Sequence, residues 1–300
     1  LELYRHVAIA AGRFQDTHPG LTVKLGGPAL AWAYTFRYGD LNWAEQFIRD
    51  CGEQRIKLDF IGVHYYGNIS SLDGEYEANY PPFTGMLQTT LAARDRYCPG
   101  TPIQITEWGP SYHTDNSPEA AVNANHIGAA WSAVFLNLKL RSGVDDALYL
   151  VTTDLRQQDP EGKWVTVWGW PSLFTNPSAC GHAFPKAPSH VFDMIARLAG
   201  QRVGCTGAQG AVNAFACASA GQVQVLVWNY GARIPEGGVA EELAKDEEVR
   251  LQVAGAAAIL GDGPVRLQRW LVSQTTSNAH HLFITAQTLD DRASLQQVQD

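Results

Sequence analysis

The stretches DFIGVHYYG, at residues 59–67, and PIQITEWGP, at residues 102–110, decide the fold class of this chain. The first overlaps a short, nearly continuous apolar run, LDFIGV at 58–63, which is typical of a parallel strand buried on both faces, and the second contains a further predicted strand, PIQIT at 102–106. Between and around them, apolar residues recur at helical spacing. The pattern predicts strands at 21–25, 58–63, 102–106 and 147–152, and helices at 42–51, 86–97, 117–140 and from Ser189 onward. This α/β alternation is typical of half of a (β/α)8 TIM barrel or of a smaller doubly wound sheet.

The alternation stops near Gly200. Beyond it lie short runs rich in Val and Leu, separated by glycine-rich turns, at 211–218, 223–228, 249–253 and 265–272, with a charged loop at 241–248. Such spacing is typical of an antiparallel β-sandwich. The sequence therefore predicts two domains, a barrel portion at residues 1–200 and an accessory β-sandwich at residues 201–300.

Charge and composition exclude several classes of function. The chain has 22 Lys and Arg against 30 Asp and Glu, a net charge of −8, so we expect no nucleic-acid or anionic membrane partner. No run approaches the roughly 18 apolar residues of a membrane span. The nine Trp residues fit either a carbohydrate-binding surface or simply a large core.

The five cysteines show no metal-ligand spacing, and no nucleotide or metalloprotease motif is present, so we expect no metal and no cofactor. Cys205 and Cys217 lie on neighbouring predicted strands, where either a bridge or two free thiols is compatible with the sequence. The chain begins within an amphipathic helical pattern that has no cap, which leads us to expect further residues upstream of Leu1.

Polar residues follow the predicted strands at the end where barrel enzymes carry their catalytic groups. His64 and Tyr66 follow the second strand, Glu107 and Trp108 the third, and Asp154 the fourth. A carboxylate after a buried strand is costly unless it is paired or functional, so Glu107 is either a capping or ion-paired residue or a catalytic one. If the second and third strands are neighbours, the Tyr66 hydroxyl is placed to hold the Glu107 carboxylate ionised, as a nucleophile requires.

These stretches, together with VKLGGPA at 23–29 and VQVLVWNYG at 223–231, occur in an order that resembles the second half of glycoside hydrolase family 39. That family is of the β-xylosidase type and belongs to the retaining glycosidases of clan A. The resemblance implies strands five to eight of a (β/α)8 barrel followed by an accessory β-sandwich, and a carbohydrate as the partner.

The same resemblance assigns roles to individual residues. Glu107 matches the nucleophile, and His64 and Tyr66 match a pair that contacts the sugar and orients that nucleophile. Trp108, Trp168 and Trp170 are the rings expected around the sugar. Asp154 stands where the xylosidases carry acidic sugar-binding residues, but the surrounding Asp-Leu-Arg-Gln differs from their pattern and leaves room for another sugar.

The general acid/base of the family is the Glu of an Asn-Glu-Pro motif, which this chain lacks. By the family's order that residue lies upstream of residue 1, so we expect the 300 residues alone to have negligible activity. Two alternatives remain. The chain is a non-catalytic carbohydrate-binding or scaffold protein, or it recruits Asp154 as a different acid, with the wider carboxylate spacing of an inverting enzyme.

Overall fold

The computed structural model describes residues 1–30, 37–38, 41–67, 83–117, 119–233, 241–242, 244–287 and 289–298. The chain divides into two compact units. The first comprises Leu1–Gly109 and Leu138–Leu150, and the second comprises Pro110–Asn137 and Val151–Asp300. This division does not follow the boundary expected at residue 200, and the assignment of residues 201–300 to an accessory domain stays a prediction.

The first unit alternates helices and strands. Its elements are α1 (Glu2–Thr17), β1 (Gly26–Leu30), β2 (Arg37–Tyr38), β3 (Leu41–Asn42), α2 (Trp43–Glu53), β4 (Phe60–Tyr66), α3 (Phe83–Tyr97), β5 (Ile103–Gly109) and β6 (Asp146–Tyr149). Helix α2 begins at a capping box, in which the Asn42 side chain accepts from the Glu45 N–H and the Glu45 carboxylate accepts from the Asn42 N–H.

Strands β1, β4, β5 and β6 form a parallel sheet in that order. The two deciding stretches supply its buried residues, since Ile61, Val63, Ile103 and Ile105 are all 0% exposed. The predicted α/β class with a parallel sheet is therefore confirmed. Within the described residues the sheet has four strands and does not close into a barrel.

Strand β1 does not lie where the sequence predicted it, at 21–25, but begins at Gly26. Gly26 pairs with Phe60, and a Cβ on Gly26 would lie 2.3 Å from the Phe60 ring, so the close approach of β1 to β4 requires glycine there. Leu25 precedes the strand, and its N–H donates to the side-chain carboxylate of Asp59 at 2.7 Å instead of to a backbone carbonyl of β4. The Gly-Gly-Pro run at 26–28, which follows the strand predicted at 21–25, thus belongs to the observed strand.

Strands β4 and β5 extend beyond their predicted ends at residues 63 and 106. Backbone pairing continues from His64 opposite Glu107 to Tyr66 opposite Gly109. The candidate site residues are therefore the last residues of the strands and not the first residues of the following loops. Backbone hydrogen bonding in the sheet fixes their positions.

The remaining elements lie wholly or mostly in the second unit. They are a 3-10 helix (Glu119–Asn123), α4 (His126–Lys139), β7 (Gln157–Gln158), β8 (Trp164–Val165), α5 (Pro177–Cys180), α6 (Ala187–Ala196), β9 (Gln201–Val203), β10 (Val212–Ser219), β11 (Gln222–Asn229), β12 (Ala232–Arg233), β13 (Glu241–Glu242), α7 (Ala256–Leu260), β14 (Arg269–Leu271), α8 (Ala279–Ala286), a 3-10 helix (Asp291–Ala293) and β15 (Gln296–Val298). Helix α6 begins two residues before the predicted cap, Ser189, whose hydroxyl donates to the Lys186 carbonyl at 2.7 Å.

The single helix predicted at 117–140 is interrupted. Its 3-10 portion ends at Asn123, and α4 starts at His126. The break follows from two asparagines: Asn123 directs its side chain to the loop at 111–113, and Asn125 caps α4 by accepting from the Ile127 N–H at 3.0 Å.

Strands β9, β10 and β11 form a three-stranded antiparallel sheet. β10 and β11 confirm the strands predicted at 211–218 and 223–228. Their inward side chains Phe215, Leu226 and Trp228 form a core cluster with α4 and α6. Helices, rather than a second sheet, thus complete this core.

The predicted β-sandwich is not confirmed. Residues 249–253 form no strand, and only Arg269–Leu271 of the run at 265–272 is paired. Val249, Leu251 and Val253 alternate as a strand would, but no described segment pairs with them. Helices α7 and α8 were not expected in this region.

All five cysteines are free in this structure, including Cys205, which is exposed, and Cys217, which lies half-buried in β10. The disulfide between Cys205 and Cys217, which the sequence left open, is therefore not formed here.

In the described part of the chain, every helix is too short or too polar to cross a membrane.

Candidate active site

Three polar side chains meet at the carboxyl ends of β4 and β5. The Tyr66 hydroxyl donates to Oε2 of Glu107 at 2.8 Å. Nδ1 of His64 lies 3.2 Å from the same oxygen, but without the alignment of a hydrogen bond. The Glu107 side chain keeps 35% of its surface exposed, against 12% for His64. The structure therefore brings these three residues together and leaves the carboxylate accessible.

The geometry of the two strands explains this arrangement. Side chains two apart on a strand share a face of the sheet, so His64 and Tyr66 point the same way. The pairing register shifts between Val63 and His64, so that Val63 lies opposite Ile105 but His64 lies opposite Glu107. A bulge of one residue in β5 thus aligns the carboxylate with the His64–Tyr66 face.

Burial sets the protonation of the two neighbours. Burial lowers the pKa of His64, and the Glu107 carboxylate offsets only part of this effect, so the imidazole is neutral near pH 7. Burial, followed by the hydrogen bond to Glu107, raises the pKa of Tyr66 far above its ordinary value. The phenol therefore stays protonated at neutral pH and remains a hydrogen-bond donor to Glu107.

Trp108, which we expected among the sugar-binding rings, is 0% exposed. It follows Glu107 on β5 and so points to the opposite face, where its ring packs edge-on against Tyr149 at 4.8 Å between centroids. A ring stacks on a sugar only through an exposed face. In this structure Trp108 serves the core of the first unit.

Asp154 is also placed differently from the expectation. Its side chain has no exposed surface, and its Oδ1 accepts from Nζ of Lys186 at 2.6 Å and from the Ser172 hydroxyl. Burial raises the pKa of Asp154, an effect that Lys186 and Ser172 oppose. A group that contacts a sugar or gives it a proton must reach the surface, so this geometry favours neither role suggested for Asp154.

Trp168 and Trp170 lie in the second unit and differ in exposure. Trp168 is buried at 7% exposure against His280 and Phe283. Trp170 is half-buried. Of the three tryptophans predicted to surround a sugar, Trp108 and Trp168 are core residues, and Trp170 is partly exposed.

Three further residues were not predicted from the sequence. Lys186, Ser172 and Asn123 are each buried and bind the loops that carry the predicted residues. The sequence did contain one signal, a single Lys inside the apolar run at 183–188, since a buried lysine requires a partner.

Within the described ranges, no group of three or more His, Cys, Asp or Glu residues is arranged to hold a metal ion.

Known proteins share this architecture. A β-xylosidase of Geobacillus stearothermophilus is 24% identical over 291 residues, which are 94% of this chain and 51% of the relative. The crystal structure of the GH39 enzyme from Xanthomonas axonopodis pv. citri superposes with a TM-score of 0.57 at 20% identity, covering 78% of this chain and 43% of that one. The crystal structure of a glucosidase from Croceicoccus marinus gives 0.54 at 22% identity, covering 77% and 45%. The chain thus spans about half the length of the curated relative that it matches.

The parallel α/β sheet and the carboxylate at the end of its strand define a protein similar to the TIM-barrel glycosidases of family 39. Residues 10–169 match the family described as glycosyl hydrolase catalytic core, and the chain belongs to that family. The likeness to glycoside hydrolase family 39 predicted from the motifs is confirmed.

Proposed function

We propose that this chain is the part of a retaining glycoside hydrolase that carries the nucleophile, Glu107, for cleavage of a β-glycosidic bond. The observation that carries the proposal is the hydrogen bond from Tyr66 to Oε2 of an accessible Glu107 at the carboxyl end of a parallel strand. A carboxylate that is oriented by a neutral donor and open on one side is suited to nucleophilic attack.

In this mechanism Glu107 attacks the anomeric carbon and the glycosidic C–O bond breaks, which gives a covalent glycosyl-enzyme. Because Tyr66 and His64 both contact Oε2, we assign the attack to Oε1. The leaving oxygen takes a proton from a general acid about 5 Å away, which then deprotonates the water that releases the sugar. We place that acid/base Glu upstream of residue 1, since the chain contains no Asn-Glu-Pro motif.

The protonation of His64 matters for the same step. A charged imidazole beside Glu107 would form an ion pair and weaken the carboxylate as a nucleophile. Burial lowers the pKa of His64, so it faces Glu107 as a neutral ring. His64 therefore supports the sugar and the carboxylate without neutralising the negative charge that performs the attack.

A β-xyloside is the first substrate to test, because one relative is a β-xylosidase, with a β-glucoside as the comparison. The 2,4-dinitrophenyl 2-deoxy-2-fluoro-β-xyloside suits this chain, because its leaving group departs without a general acid and its glycosyl-enzyme persists. We expect mass spectrometry to locate the fluoroxylosyl group on the peptide that contains Glu107. Glu107→Gln should abolish the labelling, a loss of at least about 10³-fold in rate.

Glu53→Gln is the matched control, since Glu53 is an exposed carboxylate on α2 and should be dispensable for labelling. Labelling of a residue other than Glu107 would overturn the assignment of the nucleophile. A non-catalytic carbohydrate-binding protein would instead bind xylo-oligosaccharide with the same affinity in the parent and in Glu107→Gln, and would never be labelled.

A further inference from the structure

A buried lysine collects the backbone carbonyls of the segment VWGW at residues 167–170, here called the tryptophan segment. Nζ of Lys186 donates to the carbonyl oxygen of Trp170 at 3.0 Å and to that of Trp168 at 3.2 Å, and it lies 3.4 Å from that of Val167. The Lys186 side chain is 0% exposed. Loop carbonyls ordinarily face water, so this inward arrangement is a specific feature of the segment.

The remaining carbonyl of the segment, that of Gly169, accepts from the side chain of buried Asn123 at 2.8 Å. The Trp168 N–H donates to the side chain of Asn116 at 2.9 Å. A Cβ on Gly169 would lie 1.7 Å from the carbonyl oxygen of Asp115, so the segment is packed backbone to backbone against the loop before it. Every carbonyl of the tryptophan segment thus has a side-chain partner, and the segment is held in one conformation.

Holding the segment in this way has an energetic cost. An ammonium group taken out of water is strongly destabilised, and the Asp154 carboxylate that balances it is buried as well. Burial lowers the pKa of Lys186 and raises that of Asp154, which is the signature of this cost. Because a buried ion pair adds little net stability, its value to the protein is better explained by the segment that it positions.

The tryptophan segment presents one ring for contact with a ligand. Trp168 is anchored in the core at 7% exposure, whereas Trp170 is half-buried and keeps part of its surface exposed. An aromatic ring that is already immobile loses little entropy when a sugar stacks on it. A fixed Trp170 therefore binds better than a mobile one.

We propose that Lys186 is a positioning residue that, paired with Asp154, fixes Trp170 as a preformed stacking surface for a sugar ring of an oligosaccharide. The sugar part of this inference rests on the proposed glycosidase function. The positioning part rests on the hydrogen bonds alone, so the two parts are testable separately.

The first test follows the ring without any ligand. The near-ultraviolet circular dichroism of the parent minus that of Trp170→Phe gives the signal of the Trp170 ring. We expect Lys186→Met to abolish this signal, so that Lys186→Met and Lys186→Met/Trp170→Phe give the same spectrum. Persistence of the Trp170 signal in Lys186→Met would overturn the inference.

A control separates positioning from general loss of stability. Phe215→Leu disturbs the core cluster that β10 and β11 form with α4 and α6. Phe215 is distant in sequence from the tryptophan segment, and Trp168 belongs to a different core cluster. It should lower the Tm and keep the Trp170 signal. If Lys186→Met does not fold, Asn116→Ala replaces it: Asn116 is exposed, and loss of its bond to the Trp168 N–H should still reduce the Trp170 signal.

The second test is a double-mutant cycle of binding to xylotetraose, measured by calorimetry. Trp170→Ala and Lys186→Met should each weaken binding about tenfold, and the double variant should be no weaker than Trp170→Ala. Additive losses would show that Lys186 does not act through Trp170. If the parent binds no xylo- or gluco-oligosaccharide, the proposed function fails, while the dichroism still decides whether Lys186 positions the ring.

Discussion

The Glu107 carboxylate directs Oε2 to Tyr66 and His64, and its side chain keeps 35% of its surface exposed. That the three residues share a site follows once β4 lies beside β5, a pairing on which the prediction from the sequence was conditional and which the structure shows. Their detailed alignment does not follow, because it depends on the bulge that puts His64 opposite Glu107. The burial of Trp108 escaped prediction for the same reason, since the face that a strand residue occupies is decided by register and packing.

Tyr66→Phe tests whether the hydroxyl orients the nucleophile. A hydrogen bond to a charged group contributes roughly 1.5–3 kcal/mol, so we expect formation of the glycosyl-enzyme to slow by roughly 10- to 100-fold. The rate of labelling by the 2-fluoroxyloside measures this step. Tyr65→Phe is the matched control, because Tyr65 lies on the other face of β4 and packs against Phe83. Equal rates for Tyr66→Phe and the parent would contradict an orienting role.

At the scale of elements, the sequence predicted what depends on continuous apolar runs and missed what depends on close contacts. The segments at 58–63 and 102–106 became β4 and β5, in which Ile61, Val63, Ile103 and Ile105 are fully buried. Strand β1 was misplaced because Gly26 looks like a turn residue, although it is required by the Phe60 ring. Residues 249–253 have the alternation of a strand without a described partner, and pairing is a tertiary property.

The contact between α2 and α3 yields a second prediction, which compares two helical glycines. A Cβ on Gly52 would lie 2.1 Å from the carbonyl oxygen of Tyr97, whereas one on Gly12 of α1 meets nothing within 4 Å. Gly12→Ala should therefore stabilise the protein by about 0.5–1 kcal/mol through helix propensity. Gly52→Ala should destabilise it by roughly 1–3 kcal/mol, because the backbone of α3 must move. Urea unfolding measures both, and a Gly52→Ala variant as stable as the parent would disprove the tight contact.

At the scale of the whole molecule, the described sheet ends in the unpaired edges of β1 and β6, and the chain covers 51% of its β-xylosidase relative. Unpaired edges of a buried parallel sheet are unusual, because they leave backbone groups without partners. The site is comparable, since we propose Glu107 as its nucleophile and the described carboxyl ends of β1, β4 and β6 carry no second carboxylate. Fold and chemistry thus both lead us to propose that other residues complete the catalytic centre.

This proposal makes the leaving group decisive for the 300-residue chain. A general acid contributes roughly 10²–10⁴-fold when the leaving oxygen is basic, and almost nothing when the leaving phenolate is already stable. We therefore expect the isolated chain to have negligible activity on 4-nitrophenyl β-xyloside and a kcat/KM at least about 100-fold higher on 2,4-dinitrophenyl β-xyloside, because the more basic 4-nitrophenolate departs without receiving a proton. Steady-state absorbance assays at low substrate concentration measure kcat/KM for both glycosides, which reports formation of the glycosyl-enzyme and not its hydrolysis. Glu107→Gln is the control that should cleave neither. Similar kcat/KM values for the two glycosides would mean that the chain holds its own acid, and the assignment of that residue upstream of Leu1 would have to be abandoned.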